Sequence, residues 1–131
     1  MAVNVRGPLM VSEAFVEHVV ASERKLIVSM SSTNGTLTEP FPGAAGIFYR
    51  SSKAALNKAM QQVAGAVENR GITVLLMRPG AVATERQAHL ADFPGMLDRE
   101  FYGSNMIEAL EGVSFEDTGR FLQFDGTAAP W

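Results

Sequence analysis

With 131 residues, a formal net charge of −3 and no cysteine, the chain has room for one domain, residues 1–131, and lacks the basic footprint that attracts nucleic acid or an anionic membrane. Disulfides, a thiolate nucleophile and thiolate metal sites are excluded. Apolar residues make up 47% and charged residues 19%, with Gly and Pro scattered rather than clustered, so the composition is that of a globular protein and not a disordered one.

The N-terminal stretch "MAVNVRGPLMVSEAF" has neither the basic nor the long apolar region of a signal peptide, and no apolar run is long enough to cross a bilayer, which makes a cytoplasmic protein the expectation. Residues 8 to 22 place Val11, Ala14, Phe15 and Val19 at helical spacing, with Pro8 suited to a first turn but no clean N-cap before it. His18 falls on this helix and His89 far downstream, without HxxxH or HExxH spacing. His18 reads as a partly exposed helix residue rather than a ligand.

"KLIVSMSS", residues 25 to 32, is a short apolar run ending in a Thr-Asn-Gly turn and predicts a strand. From Tyr49 to about Asn69, Ala55, Leu56, Ala59, Met60, Val63, Ala64 and Val67 share one helix face, and Gly71 supplies a C-cap. "ITVLLM", residues 72 to 77, is apolar without alternation, as in a strand covered on both faces. Residues 86 to 104 read as a loop or short helix because of Pro94, Gly95 and Gly103, "NMIEALEG" as one or two further helical turns, and "RFLQFDG", residues 120 to 126, as a last strand. Helix, strand, helix, strand, short helix, strand predicts a parallel α/β sheet with right-handed crossovers.

Ligands of such sheets sit outside the carboxyl ends of the strands, where this sequence puts "SSTNG" and "RPGAVAT". Tyr49 and Lys53 open the next helix at that same end, four residues apart and so on one face. A phenol with pKa about 10 exchanges protons poorly at neutral pH unless its anion is stabilised. An ammonium about 4 Å away contributes roughly 4 kcal/mol at an effective dielectric near 20, about three pKa units before desolvation opposes it. YxxxK alone is also a common pair on solvated helices. Ser32 at the first strand's end and Thr84 in the following turn give it company, although serine in a turn is more often a turn former and Asn4 reads equally as a cap.

Together, "VNVRGP", "IVSMSS", "YRSSKAALN" and "RPGAVAT", in that order, resemble the C-terminal half of the short-chain dehydrogenase/reductase family, and "TGRFLQFDGTAAPW" is similar to the ending of its carbonyl-reductase-like branch, the C-factor type. The resemblance covers nearly the whole chain. It implies an α/β fold, the C-terminal half of a Rossmann-like doubly wound parallel sheet with three strands and flanking helices. It also implies NAD(P)-dependent interconversion of a small carbonyl compound and an alcohol, with NAD or NADP as cofactor. Tyr49 would be the general acid/base, and Lys53 would lower its pKa and hold the nicotinamide ribose. Ser32 would polarise the substrate oxygen, with the choice between Ser31 and Ser32 left open by the longer spacing that "TEPFPGAAG" introduces. Asn4 would hold a water relaying protons to Lys53, and Pro79, Gly80, Val82 and Thr84 would lie against the nicotinamide.

The family's glycine-rich N-terminal half, which holds the cofactor pyrophosphate, is absent from these residues. The strand at 25 to 32, interior in the family, is therefore expected to present an open edge. Two expectations follow: an oxidoreductase represented by a truncated chain inactive alone, or a non-catalytic remnant that acts as an interaction module. In the second, the helices at 8 to 22 and 49 to 69, which resemble those that pair subunits in the family, would join homo-oligomers.

Overall fold

The computed structural model describes residues 1–39, 46–85 and 94–131. Its helical path starts at Ala2, where a π-helical turn, Ala2–Arg6, runs unbroken into α1 (Gly7–Ala21). No side chain caps α1, and Pro8 falls in its first turn. The π turn occupies the place where the sequence lacks a cap.

β1 (Leu26–Met30) follows, then a 3-10 turn, Thr33–Gly35, and the long α2 (Ile47–Val67). α2 tightens into a 3-10 turn over Glu68–Arg70 and stops at Gly71, whose φ of +67° is cheap only for glycine. β2 (Thr73–Arg78) leads through a loop to α3 (Arg99–Glu111), and β3 (Phe121–Gln123) completes a sheet of order β1-β2-β3, parallel throughout. The register pairs Ile27 with Val74 and Leu76 with Phe121, so these side chains share one face.

That face carries the main core. Ile72, Val74, Leu76 and Phe121 pack with Leu56, Met60 and Ala64 of α2, and Leu9, Val16, Val19 and Val20 of α1 lean on the same cluster. The opposite face buries Leu75 and Met77. There Leu122 shares a cavity with Asn105 and Ala109 of α3, and Leu26 and Thr73 share another with Glu111 and Val113. α2 and α3 therefore cover opposite faces while the sheet advances in one direction, so the two crossovers differ in hand. The expected right-handed rule holds for no more than one of them.

Other expectations need adjustment. α3 is a full helix of 13 residues, more than the turn or two that "NMIEALEG" suggests, because Asp98 caps it by accepting from the Glu100 and Phe101 N–H groups. β3 is shorter than 120 to 126, since the chain turns back after Gln123 and the Ala129 N–H donates to Phe121 O at 2.9 Å. β1 ends at Met30, although the Ser31 N–H still donates to Met77 O at 2.7 Å. The rest of the "TEPFPGAAG" insertion at 40–45 and the stretch 86–93, with His89, lie outside the described residues. Among the described residues no helix is long and apolar enough to cross a membrane, and no cluster of three His, Asp or Glu residues is placed to hold a metal ion.

Candidate functional site

The carboxyl ends of β1 and β2 lie side by side, because Met30 is in register with Met77. The turns that leave them, Ser31–Gly35 and Pro79–Thr84, therefore open at the same end of the sheet. α2 begins there as well, after Gly46 in the left-handed region, and brings Tyr49 and Lys53 one turn apart. Lys53 reaches back over the end of β1: its Nζ donates to Met30 O at 2.9 Å and stands over the Tyr49 ring, 6.0 Å from the centroid. That is the outer range of a cation–π contact. Tyr49 itself is 46% exposed, so the phenol is open to a ligand.

Asn4 arrives from the other side. It sits in the π turn, a local geometry that recurs at functional sites, and its Nδ2 donates to Ser52 Oγ at 3.0 Å. Ser52 Oγ in turn donates to the Tyr49 carbonyl at 2.7 Å, which pins the π turn to the first turn of α2. Asn4 and Lys53 line one cavity of about 370 Å³ together with Ser29, Met30 and Val11. Ser29 Oγ, buried in its wall, has no hydrogen-bond partner among the described residues.

The two serines left open by the sequence have different environments. Ser31 is 4% exposed, and its Oγ donates to Asn57 Oδ1 inside the protein. Ser32 is half-buried and caps the 3-10 turn, its Oγ accepting from the Asn34 N–H at 3.1 Å. Ser31 is thus committed to the interior, and Ser32 remains the hydroxyl at the surface of the turn. Asn34 Oδ1 accepts from Arg50 Nε at 3.2 Å, which ties this turn to the helix residue that follows Tyr49.

Beyond β2, Gly80 takes a φ of +75°, which turns the chain away from the strand. Val82 then forms an isolated parallel bridge with Leu97, reinforced by Leu97 N–H to Ala81 O at 2.7 Å and Ala83 N–H to Leu97 O at 2.9 Å. Thr84 is exposed, its N–H donating to Val82 O. Pro79, Gly80, Val82 and Thr84 are thereby placed on one loop beside the Ser32 turn. All eight residues singled out in the sequence occur at this end of the sheet, but among the described residues no hydrogen bond joins Ser32 to Tyr49.

Sequence reasoning missed Asn57 and Arg78. Asn57 is 3% exposed, although it lies on a helix read by its apolar stripe; a polar residue next to Leu56 and one turn past Lys53 was the available signal. Arg78, at the end of β2, pairs with Glu39 at 3.1 Å and with Gln123 Oε1 at 3.4 Å, tying the ends of β2 and β3 to the segment that follows the Thr33–Gly35 turn. Its distance in sequence from both partners left no local pattern.

A family model described as short chain dehydrogenase matches residues 1–94. The chain is 31% identical over 141 residues to an uncharacterised oxidoreductase of Schizosaccharomyces pombe, covering 98% of this chain and 55% of that protein. It is 30% identical to C-signal of Myxococcus xanthus over 98% of this chain and 75% of C-signal. Among solved structures, the NADPH-bound carbonyl reductase from chicken fatty liver superposes with a TM-score of 0.78 at 26% identity, over 98% of this chain and 54% of the reductase. The chain spans about half the length of most of these relatives.

Proposed function

The chain belongs to the short-chain dehydrogenase family, and from that premise we propose that its site serves NAD(P)-dependent interconversion of a small carbonyl compound and an alcohol, with Tyr49 as general acid/base. The observation that carries this reading is the Tyr49–Lys53 pair, an exposed phenol with an ammonium held over it by a backbone carbonyl at the carboxyl end of the sheet. The NADPH in the chicken reductase supports a nicotinamide cofactor here, either NAD or NADP.

The residues present suit the nicotinamide end of such a cofactor. Lys53 gives one of its three N–H donors to Met30 O, which leaves two for ribose hydroxyls. Pro79, Gly80, Val82 and Thr84 line the neighbouring loop, whose left-handed Gly80 keeps the backbone accessible. No glycine-rich turn for a pyrophosphate occurs in these 131 residues, so the cofactor would be gripped at one end only and activity of this chain alone would be low.

When bound, a nicotinamide supplies the hydride. Tyr49 Oη gives its proton to the carbonyl oxygen in reduction and takes it from the alcohol in the reverse direction. The Lys53 ammonium stabilises the phenolate that results and passes a proton back to it, and the amine so formed would be reprotonated through a water held at Asn4. Ser32 Oγ donates to the substrate oxygen and so favours the charge that develops there.

Calorimetric titration of NADH and NADPH into the purified chain tests this, with Tyr49→Phe/Lys53→Ala as the control. Binding that the control loses is expected. A folded chain that binds neither dinucleotide, or a control that binds as well as the native chain, would overturn the proposal.

A second reading has its own observation. α1 is strongly apolar yet buries no residue fully, and Met10, Val11 and Phe15 are exposed along it. Such a face suits a non-catalytic interaction module that pairs copies through α1 and α2. Sedimentation of the native chain as a monomer at micromolar concentration would remove this reading.

A further inference from the structure

We infer that Asn57 is a positioning residue of this site, holding the Ser31–Gly35 turn at both ends and thereby deciding that Ser32, not Ser31, faces the ligand. The inference rests on the reading above for what Ser32 does, and on geometry alone for how the turn is held.

Tyr49, Lys53 and Asn57 follow one another at four-residue intervals along α2 and so form a single stripe. Each of the last two grips the end of β1. Lys53 Nζ donates to Met30 O, and Asn57 Oδ1 accepts from Ser31 Oγ one residue later. The other half of the Asn57 amide, Nδ2, donates to Gly35 O at 3.3 Å, at the far end of the turn. One buried side chain thus takes a hydroxyl from the first residue of the turn and gives an N–H to the last. Asn suits this double role because its amide is at once acceptor and donor.

The fit is close on the other side too. A Cβ added at Gly35 would lie 3.0 Å from the Lys53 backbone carbon and 3.1 Å from Asn57 Nδ2, so the turn rests directly on the helix backbone between the two gripping residues. Within the turn, the Gly35 N–H donates to Ser32 O at 2.9 Å and Ser32 Oγ accepts from the Asn34 N–H. With both ends fixed, the remaining freedom of the Ser32 hydroxyl is rotation about its own side chain. An apolar residue of similar size would fill the same space but leave the Ser31 hydroxyl and the Gly35 carbonyl without their partners, so the amide does more than pack.

Amide hydrogen exchange of the 15N-labelled chain tests this, comparing native protein with Asn57→Ala and with Ser31→Ala, which removes one arm only. Asn57→Ala is expected to speed exchange of the Gly35 and Thr36 amides at least tenfold while those of Leu75 to Met77 in β2 stay unchanged. Ser31→Ala should give a smaller increase at the same amides. Unchanged exchange at Gly35 and Thr36, or acceleration that spreads equally through β2, would overturn the inference. Should Asn57→Ala not fold, Ser31→Ala decides on the same criterion. In assays of carbonyl reduction with NADPH, Ser32→Ala/Asn57→Ala should be no slower than Ser32→Ala alone, because Asn57 acts through Ser32. An additive loss would also overturn the inference. Absence of NADPH binding by the native chain bears on the proposed activity and leaves the exchange result to stand by itself.

Discussion

α1 and α2 lie on the same face of the same sheet, yet they differ in what they bury. α2 carries Lys and Arg along its length and still buries Ser52, Leu56, Asn57, Met60 and Ala64; α1 is richer in apolar residues and buries none fully. Their positions explain this. α2 lies over β2, which has a strand on each side, and packs its stripe into Val74 and Leu76. α1 lies over β1, which ends the sheet among the described residues, so only its Leu9, Val16, Val19 and Val20 edge reaches the core. Burial follows the place of a helix over the sheet rather than its hydrophobicity. The candidate pair, Tyr49 and Lys53, belongs to the well-buried helix, and that gives Tyr49 a rigid base despite its own exposure.

If that contrast is real, truncation should hurt far more around α2 than around α1. Leu76→Ala removes a fully buried side chain opposite α2 and is expected to cost about 2–5 kcal/mol, read as a fall in the urea midpoint. Phe15→Ala, which cuts a side chain 56% exposed on α1, should cost well under half of that despite its larger volume. Equal losses would erase the distinction. Gly35→Ala probes the same side more locally: its Cβ meets backbone at 3.0 Å, so the turn must shift at a cost of about 1–3 kcal/mol. Because that shift moves Ser32, the variant is also expected to alter the Lys53 and Asn57 side-chain resonances.

The sequence made much of this legible, for reasons that can be named. The α2 stripe, the Gly71 stop and the unbroken apolar run of β2 are local patterns, and the structure reproduces each to within two or three residues. The candidate site residues could be picked out because they adjoin turns at strand ends and because several motifs stood in register, and the structure brings them to one end of the sheet. Three things were not readable. α3 looked broken by Gly103, whereas Asp98 caps it and the glycine is tolerated mid-helix. The opposite hand of the two crossovers is a property of which face each helix covers, and no residue encodes that locally. Asn57 was concealed because a helical stripe is read by its apolar members, while its partners Ser31 and Gly35 are distant in sequence.

The exposed side of α1 supplies a sharper and smaller test. Met10→Ser/Val11→Ser/Phe15→Ser replaces three exposed apolar residues and, in a monomer, should change stability by less than about 1 kcal/mol in total. If α1 pairs with another copy, the same variant should instead dissociate it in sedimentation equilibrium, with the native chain concentration-dependent and the variant not. The first result would make α1 a weakly committed cover for β1, and the second would make its poor burial the signature of an interface.

The finest probe is the ion pair that ties the two helical regions together. Arg70, just past the end of α2, donates to Glu17 Oε2 of α1 at 2.7 Å. That hydrogen bond, and then the guanidinium charge, hold the Glu17 carboxyl below its ordinary pKa, and it lies at the surface. A carboxylate with a lowered folded pKa contributes stability that is present above its unfolded pKa, about 4.3 for Glu, and is lost as the pH falls through the lowered folded value. Glu17→Gln should therefore be slightly less stable than the native chain at pH 7, and the two urea midpoints should converge below about pH 4. Raising the salt concentration at pH 7 should narrow the gap as well, since the charges are exposed. A gap that persists unchanged to pH 3 would mean that the side chain matters through packing, and that α1 is held to α2 by its apolar edge alone.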